Sequence, residues 1–322
     1  MIINIKYNNR FDSFYKEINL PYIHLHLPTK LSVDLQHLKY QSYMTNSIHD
    51  IYVGDTKLTL DNFLLDVESG VISSINLTNV LNYLVGIKFG NLIQDFDISN
   101  NYNIRLLNLM YSTNSQDKNN YFSSSAKVNI ESIEFNKYML GQFDLDFEIS
   151  HINSFAFNQL INFFENIKDI NQYNLQYNQL IDDLKVKFIP ILIESPVFKL
   201  NKFNLNTNKG KIFIDGMITT KWFESIDITS QDLFLSKLYF ITHFRIPKAV
   251  FSYLLIIQMK YFLSFGNAEI DKQSNQALSE VLNILLDNQI KVWKKKKYIK
   301  EDGEMISSSI LFNQNKLFIT EE

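Results

Sequence analysis

Cysteine is absent from the 322 residues. That excludes disulfides, thiolate zinc sites and cysteine nucleophiles, and it names no compartment. Glycine (9) and proline (5) are scarce, which leaves little material for a glycine-rich nucleotide loop or a proline-rich linker. No charge sign dominates: the net charge is −3 and the isoelectric point about 6.1. No basic field is available to hold nucleic acid, so no nucleic-acid partner is expected. The opening segment MIINIKYNNRFDSF has no apolar core of the signal-peptide kind. The longest apolar run, AVFSYLLIIQMKYFLSF (Ala249–Phe265), is short for a membrane span and is broken by Gln258 and Lys260; a buried helix is expected there. Phosphate-binding glycine loops, nucleophile elbows and zinc-protease helix motifs are missing. No enzymatic activity, cofactor or metal is expected.

What the chain does have is apolar residues (46%), aromatics (14%, mostly 26 Phe and 17 Tyr) and only 20% charged residues, a composition that buries a core. Asn, Ile and Lys are also frequent, and all are encoded by AT-rich codons.

Alternation dominates the first two thirds. Ile51–Val67 alternates around an expected turn at Gly54 and Asp55, and Phe122–Phe135 alternates as one strand. In GQFDLDFEI (Gly141–Ile149), Phe143, Leu145, Phe147 and Ile149 fall on one face. Gln142, Asp144, Asp146 and Glu148 fall on the other, which is expected to be exposed. Phe203 and Leu205 alternate with Asn204 and Asn206 before a turn at Asn208-Lys209-Gly210, and Leu238–Ile246 reads as a further strand. Met305–Leu311 and Lys316–Thr320 flank a turn at Asn313-Gln314-Asn315, predicting a terminal hairpin.

Four helices are expected: Asn153–Lys168 with an Asn or Ser cap, Tyr173–Ile189 ending before Pro190, a helix from Pro247 covering Ala249–Phe262, and Ser274–Trp293. The last carries an apolar stripe that includes Leu278, Val281, Leu282, Leu285 and Leu286. The reading is an α+β fold: an extended, twisted, mainly antiparallel sheet with about four helices on one face or end. A strand-rich region over 1–190 is followed by 191–322, which holds strands, two helices and the hairpin, with a soft boundary near Ile189–Pro196 and room for one continuous domain.

Few residues suggest chemistry. His24 and His26 share a strand face, and Asp34, His37 and His49 follow as conceivable metal ligands. His151 and His243 stand alone and read as packed or capping residues. The row Asp144, Asp146, Glu148 is explained by an exposed strand face. Lys291, Lys294, Lys295, Lys296, Lys297 and Lys300 form the one dense basic cluster, flanked by Trp293 and Tyr298, as a contact for an anionic lipid surface would be. The competing reading is a solvated helix end, partly neutralised by the following Glu-Asp-Gly-Glu.

Several segments in order carry a resemblance. SPVFKLNKFNLNTNKGKIFIDGMI, LSKLYFITHFRIPKAVF and NQALSEVLNILLDNQIKVWKKKKYIKEDGEMISSSILFNQNKLFI, with HDIYVGDTKLTLDNFLLDV and KYMLGQFDLDFEISHINSFAFNQL upstream, resemble the YdgA-like family of bacterial envelope proteins over about residues 45–322. The family's membrane-anchoring segment and longer N-terminal strand region have no counterpart here, and Asn313-Gln314-Asn315 replaces its Asn-Gly turn. The resemblance implies a Gram-negative bacterial protein at the periplasmic face of the inner membrane, and it supplies no catalytic residues. The expectation is a non-enzymatic envelope protein of an AT-rich genome. Its sheet surface or groove binds a lipid, peptide or partner protein. The alternative is an assembly subunit, a homo-oligomer built by edge-strand pairing.

Overall fold

The structure, a computed structural model, describes residues 2–10, 12–27, 31–67, 102–135, 138–166, 177–255 and 272–321. Among the described residues fifteen strands form one antiparallel sheet. They are β1 Ile2–Tyr7, β2 Ser13–Leu27, β3 Leu31–Asn46, β4 Tyr52–Val67, β5 Tyr102–Lys118, β6 Tyr121–Ile130, β7 Ser132–Phe135, β8 Tyr138–Leu140, β9 Phe143–Asn153, β10 Val197–Thr207, β11 Gly210–Thr220, β12 Leu238–Pro247, β13 Lys300–Asp302, β14 Met305–Asn313 and β15 Lys316–Thr320. The order is β1-β2-β3-β4-β5-β6-β9-β10-β11-β12-β14-β13, with β15 on β14, and β7 joining β5 to β8. The sheet is open, not a barrel.

Nearest-neighbour hairpins explain most of this order. Asn208 and Lys209 make a two-residue turn that pairs Thr207 with Gly210. Gln314 and Asn315, both at positive φ (50° and 59°), close the β14–β15 hairpin, as the sequence predicts. The expected turn at Gly54 and Asp55 is absent: β4 runs through it. Gly54 instead has φ 149°, and a Cβ there would lie 2.0 Å from the carbonyl oxygen of Tyr43 on β3. Glycine therefore serves close strand approach, not chain reversal. The single strand expected over Phe122–Phe135 is divided at Glu131 into β6 and β7, both of which pair β5.

Along β3, β4 and β5 the apolar positions step by three at one level, from Leu38 to Leu35, Leu60 to Phe63 and Leu109 to Leu106. His37 and Asn108 have positive φ at that level (52° and 50°). A phase slip in one strand alone would send its apolar set to the wrong side. Because neighbours slip together, the pairing register survives on both sides of the line.

The helices are α1 Ser154–Asn166, α2 Tyr177–Ile193, α3 Gln231–Lys237, α4 over 248–255 and α5 Lys272–Lys295, with a 3-10 turn at Ser225–Thr229. Asn153 caps α1 by accepting from the Ala156 amide at 3.0 Å. Lys168, Tyr173 and the stretch 256–271 lie outside the described residues. Helix α2 does not stop before Pro190, as expected, but carries it inside and runs to Ile193. Proline there lacks the amide that would bond the Val186 carbonyl one turn back, so α2 forgoes one backbone hydrogen bond near its end. The α5 stripe is also shifted: Leu282, Leu286 and Ile290 are buried, whereas Val281 and Leu285 are exposed, and Leu278 falls among residues whose side chains are not described. β9 and β10 pair directly across the expected soft boundary at Ile189–Pro196.

Among the described residues two clusters of buried apolar side chains form the core. Ile51, Phe122, Ile152, Ala156, Leu160 and Ile191 join α1 and α2 to the sheet, with the Phe122 and Phe157 rings 4.4 Å apart. Leu282, Leu286, Ile290, Ile299 and Ile306 join α5 to β12 and β14.

Candidate functional site

Residues directly opposed in an antiparallel ladder project to the same side. Following the register from strand to strand shows what the alternation builds. Ile3, Ile18, Tyr40, Leu58, Tyr111, Val128, Leu145, Phe203, Ile214 and Phe244 oppose one another in turn, an apolar row across ten strands. One residue along each strand, on the other side, runs the polar row Asn4, Glu17, Gln41, Lys57, Ser112, Lys127, Asp146 and Lys202. The sheet thus has one apolar and one polar face.

A second apolar row, Ile149, Phe198, Ile218, Phe240, Phe312 and Leu317, lies on the apolar face of β9 to β15. Helices reach this face at two places. The α1–α2 cluster packs against Ile149, and the α5 cluster against Phe244. Between them a band stays open: Phe147, Phe198 and Ile218 keep 37%, 43% and 39% of their surface in water. They line a shallow concavity of about 300 Å³ together with Ile149, Leu200 and Phe240. Its floor is Gly216, which faces Leu200 and Thr242 across the ladder and adds no side chain.

The structure disperses the histidines. His24 opposes Asp34 in the β2–β3 ladder, and its Nδ1 lies 2.5 Å from Oδ1. The Tyr22 hydroxyl donates to the same oxygen at 3.0 Å. The His24 hydrogen bond holds the Asp34 carboxyl below its ordinary value, with Tyr22 adding to it against partial burial. His26 is exposed on the same strand face. His37 pairs Asp61 at 2.9 Å and His49 pairs Asp117 at 2.7 Å, each away from the His24 site. Among the described residues no three His, Asp or Glu side chains are placed to hold a metal ion. His151 sits at positive φ (57°) with its ring 5.7 Å from that of Tyr121, and His243 Nδ1 is 2.6 Å from Ser309 Oγ.

The carboxylate row differs from its expectation. Asp144 is buried, not exposed. Lys202 Nζ is 2.8 Å away, and Asn129 and Gln142 also donate to it. Burial works to raise its pKa, but the hydrogen bond and charge of Lys202, with Asn129 and Asn204, outweigh it and hold the group below the usual range. It is an ionised acceptor that ties β6, β9 and β10 together. Asp146 pairs Lys127 at 3.1 Å on the polar face.

The basic cluster lies at the end of α5 and in the turn after it. Lys294 reaches Glu301 at 2.5 Å and Lys297 reaches Glu321 at 3.9 Å. Lys296 lies 5.8 Å from the Tyr298 ring. Lys291, Lys295 and Lys300 are exposed. Trp293 is not an outward anchor, as its place beside the lysines suggested: it packs inward, 6.3 Å from Phe251.

One constellation had no sequence signal. Asp117 at the end of β5 has a side chain only 1% exposed. It accepts from Ser154 Oγ at 2.6 Å, at the first turn of α1, and faces His49 Nδ1 at 2.7 Å. His49 lies in the β3–β4 connection, 68 residues away in sequence. Burial pushes the carboxyl up, while hydrogen bonds from Ser154, Ser47 and His49 and the His49 charge prevail and hold it low. The carboxylate also sits where the α1 dipole favours negative charge. A nucleophilic triad needs the imidazole between hydroxyl and carboxylate. Here the carboxylate stands between them and Ser154 is fully buried, so the arrangement locks α1 to the sheet and activates no nucleophile.

Among the described residues no helix is long and apolar enough to cross a membrane. Compared with protein families, residues 1–320 match the family described as bacterial protein of unknown function, DUF945. No curated protein and no solved structure matches the chain.

Proposed function

The chain belongs to that bacterial family, and from this premise we propose that it is a non-enzymatic envelope protein whose open apolar sheet face holds the acyl chains of a lipid. The observation that carries the reading is the uncovered band at Phe147, Phe198 and Ile218. These side chains lie between two helix-covered patches on a face that is apolar over ten strands. Together they leave roughly 200 Å² of apolar surface in water, so covering it contributes roughly 5 kcal/mol. A strip of aromatic and aliphatic side chains with a glycine floor suits a flexible hydrocarbon better than a polar metabolite. The YdgA-like resemblance supports the periplasmic face of the inner membrane as the location. The test is titration with a fluorescent fatty acid. Phe198→Asp combined with Ile218→Asp is expected to weaken binding more than tenfold. Because the two positions oppose each other and are more than half buried, the melting temperature falls as well, and binding is compared at a temperature where circular dichroism shows both proteins folded. Equal binding by parent and variant refutes the reading.

A second reading has its own observation. β1, IINIKY, is exposed along its whole length and pairs β2 on one side only among the described residues. A proline-free edge with three exposed isoleucines and one charged residue, Lys6, is a template for another strand, which favours assembly by edge pairing. A monomer at micromolar concentration in native mass spectrometry counts against it. A dimer that Ile3→Lys dissociates counts for it.

A further inference from the structure

We propose that the outward side of α5 and the lysine-rich turn after it form a docking surface for an anionic phospholipid bilayer. The helix is apolar on two sides. Leu282, Leu286 and Ile290 face the sheet. Val281, Ile284, Leu285 and Val292 face away from it and keep 54%, 64%, 51% and 42% of their surface in water. At about 100° per residue, positions 281, 285 and 292 fall within about 40° of one another, roughly a third of a turn from the buried stripe. Four large aliphatic side chains along one exposed helix side are a patch, not scattered singles.

Charge says what covers the patch. The stripe ends among Lys291, Lys295, Lys296 and Lys300, all exposed. Glu301 is already taken by Lys294 and Lys248, at 2.5 and 3.1 Å, and Glu321 by Lys297. Among the described residues Lys291, Lys295 and Lys300 pair with no carboxylate. An apolar stripe beside a row of free ammonium groups is the chemistry of a helix lying in a lipid interface, with aliphatic groups at the acyl boundary and lysines at the phosphates. A nucleic-acid backbone would leave the aliphatic stripe in water. This surface is separate from the open band of the sheet and does not depend on acyl binding there.

The test is co-sedimentation of the full chain with vesicles of phosphatidylglycerol and phosphatidylethanolamine, against vesicles of phosphatidylcholine alone. Binding is expected to the anionic vesicles only and to fall steeply at about 0.5 M salt, where charges are screened within a few ångström. Neutralising Lys291, Lys295 and Lys296 to Gln is expected to weaken it about fivefold per lysine, or roughly a hundredfold together. Leu285→Asp, on an exposed position, is expected to weaken it without changing the melting curve. No sedimentation with anionic vesicles overturns the proposal. So does sedimentation unchanged by both variants, because the contact is then made elsewhere. The salt series on the unaltered chain decides the electrostatic part even where a variant misfolds. The sheet variant Phe198→Asp with Ile218→Asp should still sediment, so the two readings fail separately.

Discussion

Replacing Asp117 by Ala removes the acceptor that joins three segments. The carboxylate is buried and takes a hydrogen bond from Ser154 at 2.6 Å and faces His49 at 2.7 Å. The variant strands a fully buried hydroxyl and a mostly buried imidazole at the first turn of α1. A hydrogen bond to a charged group contributes about 1.5–3 kcal/mol, so losing the carboxylate that serves both Ser154 and His49 costs about 3–5 kcal/mol, against a total stability of about 5–15 kcal/mol for an ordinary domain. Asp117→Asn keeps the volume and one acceptor and should lose less, about 1.5–3 kcal/mol. Urea denaturation followed by circular dichroism measures both. The expected result is a lower midpoint with unchanged slope, and hydrogen exchange that quickens first in α1. A His49→Ala, Asp117→Ala double-mutant cycle should return a coupling of at least about 1 kcal/mol. A loss under about 1 kcal/mol for Asp117→Ala would refute the reasoning, because it would mean that water already serves these groups.

Acid should unfold the chain through the same kind of group. Asp117, Asp144 and Glu301 all have carboxyls held below their ordinary values, so their stabilisation is fully present above the unfolded value and lost as pH falls through the folded one. Stability should be level from about pH 7 to pH 5 and decline below about pH 4; Asp144→Asn should lower the plateau and flatten that decline, as urea midpoints across pH will show. Gly54→Ala, usually a gain in a strand, should here lower stability by about 1–3 kcal/mol, because the new Cβ meets a β3 carbonyl oxygen. Phe198→Ala should cost under about 2 kcal/mol of stability, since the ring is already 43% exposed, while ligand retention falls by a comparable free energy.

Alternation within one strand was legible: β9, β10 to β11, β12 and the terminal hairpin lie close to where period two and turn residues place them. The two-faced sheet was legible only strand by strand, because the register that lines up Leu145 with Phe203 and Ile214 is set by irregularities such as the shift between Leu200 and Phe203. Gly54 misled because a glycine for close approach and a glycine for a turn look alike without the partner strand. Asp144 looked exposed because its neighbours alternate; its burial depends on Lys202, which arrives from β10. The Asp117 site had no local signal at all, since Ser154 lies 37 residues away and His49 farther. The α5 stripe was read as one broad apolar face, and only packing separates the inward Leu282 and Leu286 from the outward Val281 and Leu285.

The most direct measurement of acyl binding on the open face is native mass spectrometry of the chain purified from bacterial membranes, followed by denaturation and lipid extraction. The expected result is a bound lipid adduct that leaves on denaturation and is depleted by Phe198→Asp with Ile218→Asp. A chain that stays free of lipid after incubation with phospholipid vesicles, with Phe147, Phe198 and Ile218 unaltered, would contradict it.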